Sequence, residues 1–137
     1  VAPHVHFAIY QALASPRLEI KRAHAELLGD GLYKIEIGIA NTGWLGTEIS
    51  QWAHKNRIVL PITAEISGAE PVDSAPRVQL GQLDGRVKFR VSGDAKSDGT
   101  PDRVLHSWLV RGEKGQLVTL TATHQRAGNA SAVVELP

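Results

Sequence analysis

The chain of 137 residues contains no cysteine and no methionine. Without cysteine there are no disulfides, no zinc–thiolate sites and no cysteine nucleophile, and the redox compartment is left undecided. Aromatics are scarce, at three Trp, two Tyr and two Phe. Charge of one sign is also missing: 15 Lys and Arg stand against 14 Asp and Glu, a formal net charge of +1. That balance excludes a large uniform field for nucleic acid, so none is expected as a partner. The apolar runs are only a few residues long, so no membrane span is expected. What is present, 42% hydrophobic and 21% charged residues, suits one folded domain with a real core.

The opening segment has helical spacing. Val5, Ala8, Ile9, Ala12 and Leu13 fall on one face, and Ser15-Pro16 ends the run. Phe7, Tyr10 and Ala14 make a second, weaker apolar stripe. One stripe is enough for a helix lying on a sheet, whereas two suggest contact on two sides. Two readings stay open: a helix packed on its own sheet, or a helix whose second face meets protein outside this chain. Because the chain begins Val-Ala-Pro, a processed protein or a piece of a longer one is expected.

From Leu18 the period becomes two. Leu18 and Ile20 lead a strand that continues in the opposite phase with Ala23, Ala25 and Leu27, and the slip near Lys21-Arg22 predicts a β-bulge. Gly29-Asp30-Gly31 predicts a hairpin turn. Tyr33, Ile35, Ile37 and Ile39 share one face of the next strand. Ile58, Leu60, Ile62, Ala64 and Ile66 alternate over another, with Pro61 placing that strand or its start at an edge. Residues 67–76 read as a link, and Val78 with Leu80 as a short strand. Val87, Phe89 and Val91 mark the next strand; Val104–Val110 reads as a central strand, apolar on both faces. Leu117–Thr123 and Ala132–Leu136 close the chain around a turn at Ala127-Gly128-Asn129. Seven to eight short strands at this spacing, without βαβ alternation, predict an all-β antiparallel sandwich preceded by a short N-terminal helix.

Reactive constellations are few. None of the six histidines begins a His-Glu-x-x-His or His-x-x-Glu pattern, so they read as surface or half-buried residues rather than metal ligands. The loop Asp94–Asp102 places Asp94, Asp98 and Gly99 as a calcium loop would, but Lys96 and Leu105 stand where oxygen ligands belong; it reads as a solvated turn. Arg86, Lys88 and Arg90 share a strand face without interleaved aromatics and read as a solvated face. Asn129-Ala-Ser131 is a glycosylation sequon. No catalytic, cofactor-binding or metal-binding residue is assigned. Trp108 is expected in the core. Trp44 and Trp52 bracket a loop and would cap the sandwich, meet a neighbouring domain or form a sugar-stacking platform. Phe7, Tyr10, Trp44 and Trp52 are the candidate interface or ligand residues.

Several stretches together resemble a known family. They are Pro16–Ile20, Gly31–Ile35, Asn41–Ser50, Leu80–Arg86, Trp108–Gly112 and Val118–Ala122 followed by His124–Gly128. In this order they are similar to the C-terminal region of bacterial zinc carboxypeptidases of the carboxypeptidase A type. The resemblance implies an immunoglobulin-like β-sandwich accessory domain over residues 16–137, with residues 1–15 as connector to, or tail of, a catalytic domain. Zinc and hydrolysis of C-terminal peptide bonds by a metal-activated water are implied for that parent protein, and its catalytic domain is the implied partner. The family's zinc ligands include a His-x-x-Glu motif that this sequence does not contain, so no catalytic residue is carried over. The expected role is domain packing or the positioning of substrate or partner; the alternative is a carbohydrate- or cell-wall-binding module using Trp44 and Trp52.

Overall fold

The computed structural model describes residues 2–48, 50–87 and 102–137. Helix α1 (Ala2–Ala14) leads into strands β1 (Leu18–Gly29) and β2 (Leu32–Asn41), followed by the short helix α2 (Gln51–Lys55). Strands β3 (Thr63–Ser67), β4 (Glu70–Pro71) and β5 (Arg77–Gln79) precede β6 (Arg103–Arg111), β7 (Leu117–His124) and β8 (Gly128–Glu135). They form two four-stranded antiparallel sheets, in the orders β1-β2-β6-β4 and β5-β3-β7-β8. This is the all-β sandwich with an N-terminal helix that the period-two pattern predicts.

One core fills the space between the sheets. Tyr33, Ile35, Ile37 and Ile39 of β2 alternate inward and meet Trp108 and Val110 of β6. Ala64 and Ile66 of β3 and Val118, Leu120 and Ala122 of β7 close the core from the other sheet. Trp108 is fully buried, as expected, and its indole N–H donates to the Ala75 carbonyl at 3.1 Å, so its polar atom is satisfied inside an apolar layer. The β1–β2 hairpin turns on Asp30 and Gly31, both at positive φ (50° and 73°), the geometry that a two-residue turn needs to match strand twist. The register shifts between Ile20 and Arg22, which is the bulge expected near Lys21. On the outer face of the first sheet Glu36 lies 2.7 Å from Lys34 and 2.8 Å from Arg22; these two cations hold its carboxyl at about 2.

Several local expectations are corrected. After the bulge only Ala25 of the Ala23, Ala25, Leu27 set is buried, because β1 stands at the end of its sheet, with one long side unpaired among the described residues. Ile58 and Leu60 are exposed while Val59 is buried. The inward alternation starts only at Ile62, and Pro61 lies ahead of the β3 ladder rather than inside it. The link at 67–76 contains β4, which pairs with β6 (Glu70 with Arg111, Pro71 with Val110). On β6, Leu105 is exposed, so that strand is not apolar-buried on both faces. β8 begins at Gly128, four residues earlier than the apolar run suggests. The strand expected at Val87–Val91 and the loop Asp94–Asp102 lie outside the described residues except for Val87 and Asp102, as do Lys88 and Arg90.

Helix α1 does not lie on the sheet. None of its residues is buried, which removes the reading of a helix packed against its own sandwich. It runs clear of the core and is attached at its C-terminal end.

A candidate interaction surface at the helix root

The root of α1 is built from tight backbone contacts. The Leu45 N–H donates to the Ala14 carbonyl at 3.0 Å, and Thr42 N–H to the Arg17 carbonyl at 2.9 Å. A Cβ on Gly43 would collide with the Ser15 carbonyl oxygen and sit 2.7 Å from the Pro16 Cα; only glycine lets these segments approach so closely. Gly85 is constrained likewise, since its Cβ would strike the carbonyl oxygens of Trp44 and Leu45. The loops 42–47 and 83–87 are thereby clamped, with Arg86 N–H donating to Gly43 at 3.2 Å and Val87 N–H to Trp44 at 3.0 Å.

Asn41 lies at the centre of this junction and is almost wholly buried. Its Oδ1 accepts from the N–H groups of Arg17 and Gly43, both at 3.0 Å. Its Nδ2 donates to the carbonyls of Leu45 at 2.8 Å and Asp84 at 3.2 Å. One amide side chain thus joins the segment after α1, the loop carrying Trp44 and the loop carrying Val87. Thr47, also buried, adds a second tie: its hydroxyl donates to Gln82 Oε1 at 2.6 Å and accepts from Leu83 N–H at 2.9 Å. Asn41 is not among the candidate residues that the sequence pattern singles out. An Asn at the end of an apolar strand and just before Thr-Gly was the available signal, because such a residue turns its amide back onto the backbone.

This framework holds a concave apolar surface outward. Phe7, Tyr10, Gln11 and Ala14 of α1 form one wall of a groove of about 380 Å³, and Trp44, Leu45 and Val87 form the other. Phe7 is 62% exposed, Tyr10 70% and Trp44 53%. On the far side of Trp44, Leu45 and Val87 a second groove of about 310 Å³ includes Glu48, Ser50, Gln51 and Asp84. The sequence-selected residues Phe7, Tyr10 and Trp44 therefore meet at one site. Trp52 does not join them. It sits 69% exposed on α2, whose N-terminus is capped by Ser50 Oγ accepting from Ala53 N–H at 3.1 Å, and it lines neither groove. Neither tryptophan caps the sandwich by burial.

The titratable groups are dispersed. No group of three or more His, Asp or Glu side chains is arranged to hold a metal among the described residues. His54 lies 3.2 Å from Glu48 on the surface. Burial lowers the pKa of His106, against a smaller opposite pull from Asp73, and its ring meets Trp108 edge-on at 4.6 Å. Burial also lowers the pKa of His124, the last residue of β7. Arg17 and Glu19 pair at 3.7 Å beside the start of β1. The sequon residues Asn129 and Ser131 are exposed on β8. No described helix is long and apolar enough to cross a membrane.

No curated protein matches the chain. A family match does exist, and it starts just beyond α1 and runs through both sheets to the end of β8. With residues 17–135 matching the family described as "Domain of unknown function (DUF8731)", the chain belongs to that family.

Proposed function

We propose that this chain is an accessory β-sandwich domain without a catalytic site of its own, and that it docks on a neighbouring protein domain through α1 and the Trp44 loop. The observation that carries the reading is the state of α1. An isolated helix of 13 residues is marginal in water, and most helices in proteins are held by packing of an apolar face. Here Val5, Phe7, Ile9, Tyr10 and Leu13 are all exposed, on both stripes of a helix that carries no Lys, Arg, Asp or Glu. Such a surface wants protein on more than one side. The rigid root through Asn41, Gly43 and Gly85 fits a joint that sets one domain at a fixed angle to another. The resemblance to the C-terminal region of bacterial zinc carboxypeptidases supplies the partner in this reading: the catalytic domain of the same parent chain, where zinc and peptide hydrolysis would reside.

The test is a photo-crosslinking amino acid placed at Tyr10 in the parent protein, with the adducts mapped by mass spectrometry. Adducts on the catalytic domain are expected. Adducts confined to the sandwich, or none above the level of a control at Lys114, would remove the proposal.

A second reading is favoured by the exposure of both Trp44 and Trp52: a module that stacks sugar rings of cell-wall or other carbohydrate. It predicts a saturable change in tryptophan fluorescence with peptidoglycan fragments or oligosaccharides, abolished in Trp44→Ala. An unchanged signal at millimolar sugar disposes of it.

A further inference from the structure

We propose that His124 is a pH-sensitive latch: its neutral ring holds the β7–β8 turn closed, and acidification releases that turn and opens the seam between β1 and β8. The ring is 3% exposed at the end of β7. Its Nδ1 accepts two backbone N–H groups, from Arg126 and Ala127, both at 3.1 Å. Only an imidazole with an unprotonated Nδ1 can do this, so the turn selects the tautomer that carries its proton on Nε2. That Nε2 is buried without a hydrogen-bond partner of good geometry. The Leu60 carbonyl, which acts on the ring, already receives Gln82 Nε2 at 3.0 Å.

A second proton would enter on Nδ1 and point at two donors. The Arg126 and Ala127 amides would lose their acceptor, and a buried cation would face them. The surroundings compensate only in part. Arg126, on the turn itself, is a like charge acting on the ring, and the segment before β3 brings only the Leu60 carbonyl. Across the seam, Glu19 is already paired with Lys21 and with Arg17. Burial, the largest effect, and Arg126 push the ring toward its neutral form and outweigh the Leu60 carbonyl, which favours the charged one.

The consequence reaches the other sheet because the Ala127 carbonyl accepts the Leu18 N–H at 3.0 Å. That bond fastens the start of β1 to the turn. Alongside it runs a shallow cleft between residues 17–20 and 127–132, the line along which the sheets would part.

Amide hydrogen exchange on the whole chain, corrected for intrinsic rates, tests the latch between pH 7.5 and 5. Protection of Ala127 and Leu18 is expected to fall by up to about tenfold per pH unit below the ordinary histidine range. His124→Asn, whose Oδ1 replaces Nδ1 as acceptor but does not titrate, is expected to keep the turn and lose the pH dependence. PH-independent protection in the native chain, or the same dependence in His124→Asn, overturns the proposal. Should that variant fail to fold, nitrogen chemical shifts of His124 in the native chain decide: protonated Nε2 with bare Nδ1 at neutral pH supports the latch, and the opposite tautomer or an ordinary titration refutes it.

Discussion

The interior of the sandwich and the helix in front of it follow opposite rules. Between the sheets, Ile35, Ile37, Trp108, Val110, Val118, Leu120 and Ala122 are closed off from water by one another. In α1 a comparable set of apolar side chains is left in water, although its root is fastened by backbone hydrogen bonds. Apolar content therefore does not separate the two regions. What separates them is whether this chain itself supplies the covering surface. Among the described residues the space between the sheets is closed, whereas α1 with Trp44 presents an uncovered apolar surface.

That contrast can be broken from the core side with the largest effect. Trp108→Ala removes a fully buried indole and its bond to Ala75, and is expected to cost about 3–5 kcal/mol in chemical denaturation. A loss below about 1 kcal/mol would show that the layer is not packed as described. At the junction, Asn41→Ala removes four hydrogen bonds to buried or half-buried backbone groups, and a loss of about 1–3 kcal/mol is expected. Gly43→Ala should fall in a similar range through overpacking against Ser15 and Pro16. Both variants should also shift the Trp44 emission spectrum, because the loop that carries the ring must move.

A smaller effect is expected from pH. His106 and His124 have folded-state pKa values below the ordinary 6.5, so the unfolded chain takes up protons first as pH falls. Their contribution to stability is complete above about 6.5 and is lost progressively below it. Thermal melting should give a lower Tm at pH 5.5 than at 7.5, a window above the titration of the carboxylates. An equal or higher Tm at pH 5.5 would contradict the burial of both rings. The smallest effect belongs to the helix. Phe7→Ala and Tyr10→Ala should change the stability of the chain alone by no more than about 0.5 kcal/mol, as for exposed positions elsewhere. The same pair should sharply weaken the proposed docking. A destabilisation of 2 kcal/mol or more in the chain alone would place these rings in a core.

Much of the sandwich could be read from local pattern. The alternation from Tyr33 to Ile39, the bulge at Lys21 and the Asp30-Gly31 turn all express rules that act over a few residues: side-chain period, phase and permitted φ. The misreadings share one cause. Ile58 and Leu60 alternate as well as Ile62 and Ile66 do, yet they face water, since a period of two names a face without naming what lies against it. The candidate site shows the same division. Phe7, Tyr10 and Trp44 stood out as large aromatics outside the core pattern. That Phe7 and Tyr10 share a groove with Trp44 while Trp52 stands apart depends on how the 42–47 and 83–87 loops are clamped. Asn41 and His124 were hidden because a polar side chain shows its worth only through the backbone groups it meets.

By itself the sequence determined the layers: alternating apolar residues, turn glycines and the absence of βαβ spacing leave two antiparallel sheets as the arrangement that buries them. The tertiary structure alone decided which apolar faces found a cover. Burial depends on chain segments far apart in sequence meeting, as when Asn41 draws residues 17, 45 and 84 together, and no local period carries that information.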